Sequence, residues 1–265
     1  MIGVFDSGYG GLTVLKPFLD KLPQYDYLYL GDNARTPYGT RSQKTVQRYS
    51  EQAAAFLFDQ GAELIITACN TVSALALRHL QQKYPDKKIL GVIKPLVEKA
   101  AEITKNNKVA IVGTRGTVNS KAYDKEIHKI DPDVKVFSQA CPLLVPLIEE
   151  NWQHKPEALK ILKKYLKPVK SYNADVMILG CTHYPLMYKH FKRYMGKSTQ
   201  VLDSGEIVAE SLKDYLKRHP EIEKLITQNS KREYTTTDCT DRFKEFANQQ
   251  LKLNIKEVKP AKIWA

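Results

Sequence analysis

Residues 62–69 read AELIITAC, and residues 174–181 read ADVMILGC. Each stretch runs from an alanine and an acidic residue through a mostly apolar segment to a small residue and a cysteine. Short continuous apolar runs are typical of strands buried on both faces of a parallel sheet. This echo predicts two related α/β halves, each with one thiol, Cys69 or Cys181, just beyond the carboxyl end of a strand.

A second pair of apolar runs lies upstream of the first pair. Residues 2–7 (IGVFDS) and 109–114 (VAIVGT) both end in a hydroxyl residue. Asp6 precedes Cys69 by 63 positions, and Gly113 precedes Cys181 by 68. Two echoes in the same order and at similar spacing favour two halves of like construction over chance.

The rest of the chain continues the alternation of short apolar runs with amphipathic stretches. Helical patterns cover residues 42–60, 71–83, 96–104 and 155–172. The predicted strands are residues 1–5, 27–30, 64–68, 89–92, 109–112, 134–138, 176–179 and 200–202. This alternation predicts an α/β fold with two similar doubly wound domains and parallel-rich sheets.

The composition excludes several classes of protein. The 265 residues are 43% hydrophobic and 26% charged, as in an ordinary globular protein of one or two domains. No apolar run approaches the roughly 18 residues of a membrane span, and the first residues lack a signal-peptide pattern. We therefore expect a cytoplasmic protein without a membrane partner. Four cysteines without a C-x-x-C pair disfavour a zinc ribbon or a redox centre.

The net charge of +12 raises the question of a nucleic-acid partner. Residues 151–265 hold 22 Lys and Arg against 13 Asp and Glu, so most of the excess lies there. In residues 155–172 the lysines face away from an apolar stripe, which is typical of the solvated side of a helix. Because no nucleic-acid motif accompanies them, we predict surface charge and no nucleic-acid partner.

Cys69 and Cys181 are the candidate reactive residues. A single cysteine is often a small buried hydrophobe, but a matched pair in polar loops favours function. The helix predicted after Cys69 would lower the pKa of its thiol from about 8.5 toward neutrality. Cys141 and Cys239 are interpreted as structural or incidental.

His183 and Asp6 are further candidates at strand ends. His183 is next but one to Cys181 and would alter its ionisation. Asp6 would take part in chemistry or would instead cap the glycine-rich turn of residues 6–13. That turn matches neither the dinucleotide nor the P-loop pattern, although it could cradle an anion such as a carboxylate. Residues 31–42 and 114–117 form two more polar loops.

Two thiols on opposed halves indicate one kind of reaction. A stereocentre with an acidic C–H bond must lose a proton on one face and gain a proton on the other face. Two thiols flanking that carbon can do both, one as thiolate and one as thiol. Thiols suit this chemistry because they titrate not far above neutral pH.

The chain also resembles the glutamate racemases of the aspartate/glutamate racemase family. The resemblance spans residues 5–205 in the order of the family. The matching blocks are FDSGYGGLTVL (5–15), GDNARTPYGTR (31–41), TACNTVSA (67–74), GVIKP (91–95), VAIVGTRGTVNSKAY (109–123), CPLLVPLIE (141–149), LGCTHYPL (179–186) and LDSG (202–205).

The resemblance implies two α/β domains with the active site in the cleft between them. Residues 1–96 and 207–265 would form the first domain, and residues 97–206 the second. The implied activity is cofactor-independent, metal-free interconversion of L- and D-glutamate, which supplies D-glutamate for peptidoglycan. We also expect a homodimer. Since nothing precedes the first strand, we do not expect the regulation by a cell-wall precursor that some members show.

The resemblance also implies roles for individual residues. Cys69 would act on D-glutamate and Cys181 on L-glutamate. Asp6 and His183 would assist proton transfer on their respective sides, with Glu149 supporting His183. The residues implied to hold the ammonium and carboxylate groups are Ser7, Tyr38, Gly39, Asn70, Thr71, Thr114, Thr117 and Thr182.

Three alternatives stay open at this stage. An aspartate racemase of the same superfamily is the nearest one. A cysteine hydrolase using Cys181 and His183 is disfavoured, because such partners usually come from separate segments and Cys69 would have no role. A basic nucleic-acid-binding protein would show binding that falls steeply with salt.

Overall fold

The computed structural model describes residues 1–238 and 241–264. Within them the strands are β1 (Ile2–Asp6), β2 (Tyr27–Gly31), β3 (Leu64–Thr67), β4 (Lys88–Gly91), β5 (Lys108–Gly113), β6 (Lys135–Ala140), β7 (Val176–Gly180), β8 (Gln200–Leu202), β9 (Arg232–Thr236) and β10 (Lys259–Pro260). All strand pairs are parallel.

Helices connect these strands. The α-helices are α1 (Leu12–Lys21), α2 (Gln43–Asp59), α3 (Asn70–Leu75), α4 (Leu77–Lys83), α5 (Ile93–Ile103), α6 (Arg115–Asn119), α7 (Ala122–Ile130), α8 (Leu144–Glu149), α9 (Pro156–Ser171), α10 (Tyr188–Met195), α11 (Ser204–Arg218), α12 (Pro220–Glu223) and α13 (Asp241–Glu245). Single 3₁₀ turns lie at Asn33–Arg35, Tyr38–Thr40 and Tyr184–Met187, and a π-helical turn lies at Phe246–Gln250.

The strands form two sheets with the same internal plan. The first sheet has the order β10-β9-β2-β1-β3-β4, and the second has the order β6-β5-β7-β8. In the first sheet β1 lies between β2 and β3, and in the second sheet β5 lies in the same way between β6 and β7. The predicted α/β fold with two similar doubly wound halves is confirmed.

Each sheet is buried on both faces, because successive side chains along a strand point to opposite sides. In the first sheet, Ile2 and Val4 share a core with α1 and α11, and Phe5 faces a core that includes α2. In the second sheet, Ala110 and Val112 pack with α8 to α10, and their neighbours on β5 face α5 and α7. This double burial explains the continuous apolar runs in the sequence.

The prediction misses two kinds of detail. The helix expected over residues 71–83 is broken at Ala76 into α3 and α4. Strands β9 and β10 were not predicted. The sequence of β9, REYTT, contains no apolar run, and β9 is only partly buried beside the short edge strand β10. Strand β9 forms because it pairs with β2, a strand that is distant in sequence.

The chain crosses from one sheet to the other and returns. Residues 2–91 and 232–260 supply the first sheet, and residues 108–202 supply the second. The apolar side of α5 packs with the second sheet, whereas α11 packs against α1 on the first. The division into 1–96 with 207–265, and 97–206, stays a prediction. Within the described residues, no helix is both long and apolar enough to cross a membrane.

Candidate active site

Four of the predicted site residues follow the central strands of the two sheets. Ser7 follows β1 and Cys69 comes two residues after β3, while Thr114 follows β5 and Cys181 follows β7. The pairs β1–β3 and β5–β7 lie where the order of each sheet reverses. Such reversal points leave a crevice at the carboxyl ends of the strands, where α/β proteins place their functional groups.

The two crevices face each other across one small cavity. Its lining residues are Ser7, Thr36, Pro37, Tyr38, Gly39, Cys69, Asn70, Thr71, Thr114, Val145, Cys181, Thr182 and His183. Both predicted thiols are therefore in the cavity. The cavity is narrow, with a volume of about 30 Å³.

Three predicted residues lie behind this lining. Asp6 is completely buried, and Glu149 and Thr117 contact lining residues from the rear. Thr36, Pro37 and Val145 line the cavity without having been predicted. Thr36 and Pro37 lie beside Tyr38 in the polar loop of residues 31–42, which is a weak sequence signal. Nothing in the sequence indicates the apolar Val145.

Cys69 is held at the start of α3 and is 5% exposed. Its Sγ lies 3.5 Å from Ser7 Oγ. Burial, followed by the nearby charge of Asp6, raises the pKa of the Cys69 thiol to about 12. The expectation that the helix would lower this pKa is wrong, because the loss of solvation and a like charge outweigh the few amides of a six-residue helix.

Asp6 links the glycine-rich turn to the second half of the molecule. Its Oδ2 accepts from the amide of Gly8 at 3.0 Å, and its Oδ1 accepts from Thr182 Oγ1 at 3.3 Å. Burial raises the pKa of Asp6, and the charge of His183 opposes this rise. The carboxylate thus supports the turn and also lies within electrostatic reach of both thiol loops.

His183 is buried between Cys181 and Glu149. Its Nε2 lies 3.1 Å from Glu149 Oε1, an ion-pair distance, although the angle is not that of a hydrogen bond. Burial alone would lower the pKa of His183, but the contacts with Cys181 and Glu149 raise it to about 10. The imidazole is therefore positively charged at neutral pH, directly beside the Cys181 thiol.

The glycines of the turn allow close contact with this histidine. A Cβ on Gly10 would lie 2.5 Å from His183 Nδ1 and 2.6 Å from Thr182 Oγ1. Thr13 Oγ1 donates to the carbonyl of Thr182 at 2.8 Å, which fastens the turn to the second half. Close packing between the halves therefore requires a glycine at position 10.

Polar groups from both halves also meet at the cavity. Thr71 Oγ1 lies 3.0 Å from Thr114 Oγ1, and Thr117 Oγ1 lies 3.0 Å from Thr114 Oγ1. Asn70 Oδ1 accepts from the hydroxyl of Tyr123 at 2.6 Å, which leaves its buried Nδ2 without a partner. These groups offer hydrogen-bond donors to an anionic ligand.

Cys141 and the five other histidines do not line the cavity. Cys141 is fully buried, its Sγ lies 3.6 Å from the carbonyl of Gln139, and burial raises its pKa. Its structural interpretation fits this position. Cys239 lies outside the described residues. His79, His128, His154, His190 and His219 do not line the cavity.

The fold and the cavity define a class of protein: a two-part α/β protein in which each parallel sheet presents one thiol to a shared polar cavity. A model of the Asp/Glu/Hydantoin racemase family matches residues 16–212. A glutamate racemase from Geobacter metallireducens is 41% identical over 250 residues, which cover 94% of this chain and 92% of that protein.

Two solved structures extend the likeness to the whole fold. A glutamate racemase isoform from Bacillus anthracis has a TM-score of 0.92 at 33% identity, and the match covers 99% of this chain and 97% of that chain. A glutamate racemase from Francisella tularensis, solved in complex with D-glutamate, has a TM-score of 0.90 at 34% identity with the same coverage. The chain belongs to the Asp/Glu/Hydantoin racemase family.

Proposed function

We propose that this protein interconverts L- and D-glutamate by moving a proton from one face of the α-carbon to the other, without a cofactor. The observation that carries the proposal is the pair of thiols, Cys69 and Cys181, brought by opposite sheets to one small cavity. The relatives named above are glutamate racemases, and one was solved with D-glutamate. Aspartate racemisation is the alternative.

The proposed reaction moves one proton in and one proton out. A thiolate removes the α-proton, and the electron pair of the broken C–H bond delocalises into the α-carboxylate. The thiol on the opposite face then donates its proton to the same carbon. The negative charge thereby passes from one sulfur to the other. The next turnover runs in the reverse direction unless the two thiols first exchange protons with the solvent.

The surroundings of the two thiols indicate which one donates a proton and which one removes a proton. With a pKa of about 12, the Cys69 thiol is protonated at neutral pH and is ready to donate. Cys181 lies in contact with His183, whose pKa is raised to about 10, so a cation stands beside this second sulfur. Cys181 then removes the α-proton of L-glutamate and Cys69 completes D-glutamate, as the family resemblance implies.

Other residues would hold the substrate or orient the thiols. Glu149 would keep His183 charged, and Asp6 would assist proton transfer at Cys69. Substrate carboxylates and the ammonium group would bind to the set Ser7, Tyr38, Gly39, Asn70, Thr71, Thr114, Thr117 and Thr182. The free Nδ2 of Asn70 supports this role, because a buried unpaired donor is costly until a ligand occupies it.

At about 30 Å³ the cavity is narrow for a dicarboxylate. Binding would therefore widen the space between the halves before closing over the substrate. The small volume supports a water-poor site, in which the charges of His183 and Asp6 act strongly.

We further propose that the D-glutamate serves peptidoglycan synthesis in the cytoplasm, and that the chain acts as a homodimer. Light scattering at several concentrations tests the dimer. A mass near that of one 30.2 kDa chain throughout would overturn it.

The decisive experiment is incubation of the purified protein with L-glutamate in D₂O without added cofactor. Loss of optical rotation, with deuterium at the α-position, is expected. A strict requirement for pyridoxal phosphate would overturn the mechanism. Faster formation of D-aspartate from L-aspartate in a parallel assay would favour the alternative.

A further inference from the structure

Arg35 lies between two aromatic rings. Its guanidinium carbon is 4.1 Å from the centroid of the Tyr49 ring and 4.2 Å from that of Trp264. The Arg35 side chain is only 13% exposed. Cation–π attraction strengthens as the cation is desolvated, so this sandwich attaches Trp264 firmly to the loop of residues 31–41.

Asp32 ties the same arginine to the cavity. Its carboxylate is completely buried and accepts from Arg35 Nε at 2.7 Å and from the hydroxyl of Tyr38. It also accepts from Thr237 Oγ1 at 2.8 Å. Removing the cation would leave a buried carboxylate unpaired, which is costly, so Asp32, Arg35 and Tyr38 are held as one unit.

Trp264 is itself fixed to the first sheet. The preceding strand, β10, pairs with β9, and the amide of Ala261 donates to the carbonyl of Thr236 at 2.8 Å. Ala261 and Ile263 are buried in the same apolar cluster as Tyr38. Residues 261–264 therefore support the loop from a segment that makes no contact with the cavity.

The loop forms one wall of the cavity. Tyr38 and Gly39 line it, and a Cβ on Gly39 would lie 2.6 Å from the Cβ of Thr114 in the second half. Because the fit is so close, a small displacement of this wall changes both the cavity and the contact with Thr114.

We infer that Asp32, Arg35, Tyr49 and Trp264 form an Arg35 clamp that positions the Tyr38–Gly39 wall for substrate binding. These are positioning residues, because none of them lines the cavity. The inference rests on the proposed function. It extends that function to residues 261–264. This segment lies outside the cavity, and none of the matching sequence blocks includes it.

The test is a steady-state comparison of the full-length wild type with Trp264→Ala and Trp264→Phe. Loss of one cation–π contact predicts about a two- to fivefold rise in KM for both glutamate enantiomers, with kcat close to that of the wild type. Trp264→Phe keeps a π-face and should restore KM. A merely structural role would not produce this separation of KM from kcat or the rescue by an aromatic residue.

Trp152→Ala is the matched control, because Trp152 is the only other tryptophan and is also exposed, at 46% against 42% for Trp264. An unchanged KM in Trp264→Ala, an equal rise in Trp152→Ala, or no rescue by phenylalanine would overturn the clamp. If Trp264→Ala is insoluble, Arg35→Lys must give at least that rise in KM, because lysine keeps the charge but loses the planar stacking on both rings. If the wild-type protein does not turn over glutamate, the proposed function itself is refuted. The clamp, which rests on that function, is then refuted as well.

Discussion

The Nε2 atom of His183 lies 3.1 Å from Oε1 of Glu149, with the two side chains 5% and 19% exposed. This contact brings a carboxylate from the end of α8 to a histidine that follows β7. Together with Cys181, it raises the pKa of His183 to about 10, although burial alone would lower it. Glu149, which lies behind the cavity, thus supports the positive charge beside Cys181.

Glu149→Gln should shift the pH dependence of catalysis. Without the carboxylate the pKa of His183 falls, so the imidazole loses its proton at lower pH. Activity that needs the charged imidazole persists below this pKa and is lost as the pH rises through it. The alkaline limb of kcat/KM should therefore move down by about 1–3 units.

Glu150→Gln is the control for that measurement. It removes the same charge one residue away, from a side chain that is 63% exposed and pairs with Arg242. Its alkaline limb should match that of the wild type. Coincident profiles for all three proteins would contradict the role of Glu149.

Cys69→Ala and Cys181→Ala should each abolish most racemisation. Loss of one acid–base group costs about 10²- to 10⁴-fold in rate, and both directions need both thiols. Polarimetry with each enantiomer measures the loss. Cys141→Ala should keep near-wild-type kcat, since Cys141 lies outside the cavity. Full activity in Cys69→Ala alone would refute the two-base mechanism.

Gly10→Ala should impair catalysis, because its Cβ would lie 2.5 Å from the His183 ring and push that ring from Cys181. Overpacking of this kind costs about 1–3 kcal/mol of unfolding free energy. Gly8→Ala lies in the same turn, and its nearest contact would be an ordinary 3.5 Å to Thr36 Oγ1. Denaturant unfolding and kcat should separate the two variants. Equal effects would show that the turn matters only through its backbone freedom.

Thr114→Val should weaken glutamate binding. The hydroxyl of Thr114 links Thr71 and Thr117 at the meeting of the two halves and faces the cavity. A lost hydrogen bond to a charged ligand corresponds to about a tenfold or greater rise in KM. Thr40→Val, at an exposed position that does not line the cavity, should leave KM unchanged. A KM within twofold of the wild type in Thr114→Val would contradict the binding role.

Much of the fold followed from local pattern. Strands buried on both faces appear as apolar runs, so β1, β3, β5 and β7 were predicted with small shifts at their ends. β9 was not, because a partly buried strand near the sheet edge depends on a distant partner rather than on its own apolarity. The break at Ala76 has no helix-breaking residue, and the side chains of Gln43 and Gln47 from α2 donate to the carbonyl of Leu75 there.

The sequence by itself determined that two like α/β halves each carry a thiol beyond a strand, because the apolar periodicity of a strand is a local property. Only the tertiary structure decided the ionisation of Cys69. Burial and Asp6 raise the pKa of Cys69, against the lowering expected from its helix. Only the tertiary structure joined Trp264 to Arg35. Solvation and charge at a site depend on groups that folding brings from distant segments, and no local pattern encodes those distances.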